Sequence, residues 1–105
     1  MSITINTSEY TKTKDSTIDG VKLTIRPMSS AETISLMSLG EEIKEIQKSG
    51  DQNKAMKSLD KLSEMYFKLY NDPKKAKELL SGLGFEDWFD IYTKVMNEDK
   101  DGESA

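Results

Sequence analysis

The spacing of apolar residues along this chain changes at Pro27. Before it, Val21, Leu23 and Ile25 alternate with Lys22, Thr24 and Arg26, the two-residue period of a half-buried strand. The preceding Asp19-Gly20 pair tolerates positive φ at both positions and predicts a tight hairpin turn between Ile18 and Val21. Further upstream, Ile3 and Ile5 alternate with Thr4 and Asn6 as in a short strand, whereas residues 10–16 carry little to bury. Residues 1–17 therefore read as either an edge strand or a flexible arm.

After Pro27 the period becomes helical. Proline donates no backbone N–H and drives Arg26 into extended geometry, which ends the strand. The SSAE of residues 29–32 then has the spacing of a capping box. Leu36, Leu39, Ile43 and Ile46 form one stripe of a helix reaching about residue 48, stopped by Ser49-Gly50. Gly40 inside it either weakens the helix or admits a close neighbour. Asp51 caps a second helix to about residue 70, with Met56, Leu59, Leu62, Met65, Tyr66 and Leu69 on its packed face. Asp72-Pro73 starts a third, over residues 73–81, that buries Ala76, Leu79 and Leu80, with Leu83 expected beside them. A fourth over residues 85–96 follows Gly82 and Gly84. The fold class is α+β, mainly α: a short N-terminal β-hairpin followed by a bundle of about four helices. Residues 18–96 make one domain, and residues 97–105 are expected to be a disordered acidic tail.

Charge changes this picture little. Hydrophobic residues make up 35% of the 105, charged residues 32%, and the net charge is −4. Seven lysines against three acids in residues 54–77 leave the rest of the chain at −8. The lysines stand among acids along helices, without the interleaved Arg and aromatics of a nucleic-acid surface, so a solvated face is expected and no nucleic-acid partner. No apolar run approaches the ~20 residues needed to span a bilayer, and the first residues lack the pattern of a signal peptide. With no cysteine there is no disulfide framework and no thiolate metal site.

The inventory is poor in catalytic groups. Histidine and cysteine are both missing, which removes the usual neutral-pH base and the thiol nucleophile. No enzyme activity and no cofactor are expected. Asn97, Asp99, Asp101 and Gly102 match the first half of a calcium loop, but no glutamate stands at its twelfth position, and a solvated tail is the expected reading. What remains is aromatic: seven of eight aromatic residues fall within residues 66–92. Helix four is apolar over a wide arc, with Phe85, Phe89 and Tyr92 on one stripe and Trp88, Ile91 and Val95 on another. Either the helix is wedged centrally in the bundle, or one stripe serves a partner. Phe85, Trp88, Phe89, Tyr92 and Met96 are the candidate partner-binding residues.

The order of elements, with TIRPMSSAE at residues 24–32 joining a β element to an acidic helical body, resembles the small tail assembly chaperones of long-tailed bacteriophages and prophages. The likeness covers residues 18–97. It implies a non-enzymatic protein of the bacterial host cytoplasm that binds the tape measure protein, keeps it soluble and helps recruit tail tube subunits. It also implies absence from the mature virion; a monomer or weak homo-oligomer is expected in isolation. Two other readings fit the composition: a small acidic inhibitor or immunity-type protein, and a structural head–tail component.

Overall fold

The computed structural model describes the backbone of residues 2–9 and 11–104, and the side chains of residues 2–8 and 11–97. A one-turn 3-10 segment, Thr7–Glu9, leads into a two-stranded antiparallel hairpin of β1 (Lys14–Ile18) and β2 (Val21–Ile25). Four helices follow: α1 (Ser30–Ser49), α2 (Gln52–Phe67), α3 (Pro73–Leu80) and α4 (Phe85–Ser104).

The turn is made by Asp19 at φ 50° and Gly20 at φ 80°. Two consecutive left-handed residues give the turn whose twist matches the strands, and the register pairs Ile18 with Val21, Ser16 with Leu23 and Lys14 with Ile25. Leu23 and Ile25 point into the core; Ser16, opposite Leu23, is also buried and donates its hydroxyl hydrogen to the Leu23 carbonyl at 2.9 Å. A strand forms at residues 14–18, and none at Ile3 and Ile5, which stand 87% and 65% exposed. Those two isoleucines have the right alternation but no neighbouring strand to complete.

The outer edge of β2 is closed by the chain leaving α2. The Arg26 N–H donates to the Leu69 carbonyl at 2.9 Å, the Asn71 N–H to the Thr24 carbonyl at 3.0 Å, and the Thr24 N–H to Asn71 Oδ1 at 2.9 Å. This pairing explains why α2 ends at Phe67 instead of running to residue 70: residues 69–71 are claimed by the sheet. Leu69 and Tyr70 are nonetheless buried.

Ser29 accepts from the Glu32 N–H while the Glu32 carboxylate accepts from the Ser29 N–H, completing the capping box. The same carboxylate receives both Arg26 guanidinium nitrogens, at 2.8 and 2.7 Å, so strand end and helix start are clamped across Pro27. At the other end of α1, Gly50 takes the left-handed conformation at φ 82°. Asp51 and Asp72 cap α2 and α3, accepting from the N–H groups of Lys54 and Lys75.

α1 packs most extensively on α2, through Leu36, Ile43 and Ile46 on one side and Ala55, Ser58 and Leu62 on the other. Met56, which the sequence places on the packed face of α2, is 57% exposed. The small residues Ala55 and Ser58 are the ones turned inward. Leu83, expected beside the buried residues of α3, is 43% exposed in the turn that follows that helix. α4 continues to Ser104, through the segment expected to be a disordered tail from residue 97.

Candidate partner-binding site

The five aromatic and methionine positions singled out on α4 do not share one environment. Trp88 is a core residue at 4% exposure. Its indole N–H donates to the Leu80 carbonyl at 2.8 Å, and its ring lies stacked on Tyr66 at 5.6 Å between centroids. Tyr66 is wholly buried; its hydroxyl donates to the Trp88 carbonyl at 2.8 Å and accepts from the Tyr70 hydroxyl at 2.7 Å. Burial pushes both phenols above their ordinary range. Phe67 sits tilted against Trp88 at 4.9 Å and closes the group. Trp88 thus presents no surface to a partner.

Phe85, Phe89, Tyr92 and Met96 are different: all four are half-buried. Their spacing puts them on one stripe of α4, and three of them meet α1 or the turn before it. A Cβ built at Gly40 would stand 3.3 Å from Phe85 and 3.6 Å from Phe89. Glycine at this point of α1 is therefore the close-approach residue that lets two rings lie against the helix backbone. Further along, the Met28 N–H donates to the Tyr92 hydroxyl oxygen at 2.8 Å. α4 accordingly runs antiparallel to α1, with Phe85 near Gly40 and Tyr92 near the start of α1. The helix is wedged between α1 on one side and the Tyr66–Leu80 region on the other. Its polar residues Glu86, Asp87, Asp90, Thr93 and Lys94 face solvent.

The stripe at this seam is only partly covered. On α1, Met37 lies one helical step from Gly40 toward solvent, and Ile34 lies beyond it; they are 63% and 66% exposed. Ile34 was legible as an apolar residue off the Leu36–Ile43 stripe, a position where a purely structural helix carries a polar side chain. Both Ile34 and Met37 stand one to two turns before Gly40 on the exposed side of α1. Lys44 and Glu86 pair across the far end of the seam at 3.8 Å, both well exposed. Beyond that pair lies a shallow notch of about 420 Å³ lined by Glu41, Lys44, Glu45, Gln47, Lys48 and Glu86. Its side chains are exposed and of both signs, which suits hydration better than a ligand.

Among the described residues, no group of His, Cys, Asp or Glu is gathered so as to hold a metal ion, and no helix is long and apolar enough to cross a membrane. The calcium-loop pattern of residues 97–102 falls on a helical backbone, and its side chains beyond residue 97 lie outside the described residues. Compared with known protein families, curated proteins and solved structures, the chain matches none of them. Phe85, Phe89, Tyr92 and Met96 keep part of their apolar surface accessible along α4.

Proposed function

We propose that this chain is a tail assembly chaperone of a long-tailed bacteriophage or prophage. It acts in the host cytoplasm on the tape measure protein, holding that long helical client in solution and helping tail tube subunits to assemble around it. It is not an enzyme and leaves before the particle is finished. Besides the likeness at residues 24–32, one observation supports this reading: the partly covered stripe of Phe85, Phe89 and Tyr92 on α4, with Ile34 and Met37 exposed on α1. A helix laid on such a strip buries its own apolar face there, as in other helix-in-groove contacts. Methionine suits a client whose sequence varies along its length, because an unbranched thioether repacks at little cost. The rim charges Lys44, Glu86 and Asp90 keep the unloaded protein soluble.

The test is co-expression with the tape measure protein of the same genome. Soluble tape measure protein that co-purifies with this chain, and loses it when Phe89 is replaced by Ala, is the expected result. A client that stays insoluble, or binding untouched by the substitution, overturns the proposal. Finding the protein in purified particles favours the structural head–tail reading instead. Salt-sensitive binding to a basic enzyme encoded nearby favours an inhibitor.

A further inference from the structure

A strand-forming segment and an open sheet edge are both present on this chain, and they are not joined. Residues 2–6 alternate Ile3 and Ile5 with polar neighbours, carry no charged side chain, and leave Ile3 the most exposed large apolar side chain described. The open edge belongs to β1. Because the two-residue turn makes Ile18 and Val21 a hydrogen-bonded pair, Ser16 and Lys14 also bond inward to β2. The N–H and C=O groups of Asp15 and Thr17 therefore point away from the hairpin. Among the described residues nothing pairs with them, whereas the corresponding groups of Thr24 and Arg26 on β2 are taken by residues 69–71. Among the described residues, one edge of the sheet is closed and the other is open.

The match is specific in length and in face. Five residues of arm meet a five-residue strand. With Ile3 and Ile5 on the side of Ser16 and Ile18, they extend the half-buried apolar surface where α4 packs on β1; Thr4 then falls on the outer face with Asp15 and Thr17. We propose that residues 2–6 of one copy add as a third strand to β1 of a second copy, reciprocally, giving a two-fold dimer. Residues 7–13 span at most about 25 Å when extended, enough to reach a neighbour packed edge to edge. A two-stranded sheet is marginal alone and a third strand with apolar side chains completes it, so the exchange satisfies both the edge and the isoleucines. This inference does not depend on the chaperone reading.

The chain lacks cysteine, so cross-linking can be read without background. A Thr4→Cys chain is mixed with an Asp15→Cys or Thr17→Cys chain and oxidised. In at least one of these mixtures a disulfide joining residue 4 of one chain to residue 15 or 17 of the other, identified by peptide mass after proteolysis and in excess over the same-site disulfides, is expected. Light scattering of the native chain should show a mass rising toward the dimer with concentration. Replacing Ile3 and Ile5 together by Asp should weaken that association at least about tenfold at unchanged helical content. A chain that remains monomeric throughout, a dimer indifferent to the Ile3 and Ile5 changes, or a disulfide that closes only within a doubly substituted chain overturns the proposal.

Discussion

Two aromatic groups share helix α4 and differ in how completely they are covered. In the inner one, Trp88, Tyr66, Tyr70 and Phe67 are buried on every side, and the polar atoms of Trp88, Tyr66 and Tyr70 find partners within the group or on nearby carbonyls. In the outer one, Phe85, Phe89 and Tyr92 lie against α1 with part of each ring still accessible. Both groups are built of aromatic rings, so aromatic content alone does not separate them. Coverage does: the first group stores stability, while the second keeps apolar area that a partner can still bury.

The sharpest way to break this contrast is to truncate one ring from each group. Trp88→Ala removes a buried ring and its hydrogen bond, and should cost ~3–5 kcal/mol, a large share of the ~5–15 kcal/mol of an ordinary domain. Urea denaturation with circular dichroism measures it. Phe89→Ala should cost less, about 2–3 kcal/mol, because its side chain is only partly buried, while reducing binding of the client proposed above by tenfold or more. Equal stability losses at the two positions would erase the distinction.

A smaller effect concerns the clamp at Arg26 and Glu32. The guanidinium hydrogen bonds, aided by the Ser29 N–H, hold the Glu32 carboxyl well below its ordinary value, at about 2. A carboxyl depressed in the folded state stabilises above its unfolded value of 4.5 and loses that contribution as pH falls toward 2. Both side chains are partly solvent-exposed, at 42% and 31%, so the loss should be ~1 kcal/mol between about pH 5 and 2. Glu32→Gln should flatten that part of the pH profile. The smallest change is Gly40→Ala. Alanine is the better helix former by up to ~1 kcal/mol, but its Cβ would stand 3.3 Å from the Phe85 ring, which packs edge-on against Phe89 and must shift by a few tenths of an ångström. A net stabilisation of a few tenths of a kcal/mol is expected in thermal melts; a clear loss would show the seam to be as rigid as the inner group.

Local chemistry was readable before any coordinates. Asp19-Gly20, Pro27, the 29–32 capping box, Gly50 and Asp72-Pro73 each act within a few residues, and each does in the fold what its spacing implies. The contacts that sequence did not reveal are long-range. Nothing near Tyr70 announces that residues 69–71 will pair with β2, which is why α2 stops early. Ile3 and Ile5 have a strand's alternation, but pairing requires an edge elsewhere. Met56 and Ala55 are adjacent on α2, and which one turns inward depends on how closely α1 approaches. At the candidate site, the α4 stripe was visible from spacing. Its division into a buried Trp88 and a half-covered Phe85, Phe89 and Tyr92 depends on Gly40, Leu80 and Tyr66, three residues from three different elements.

Trp88 is the single tryptophan of the chain, and its enclosed indole has an optical consequence. Sheltered from water and bonded to a carbonyl, it should fluoresce toward the blue, with emission moving to longer wavelength only when α4 separates from Tyr66. Events confined to the outer strip or to the N-terminal arm should leave that spectrum unchanged. One native fluorophore therefore distinguishes loading of the surface from loosening of the core, without any added label.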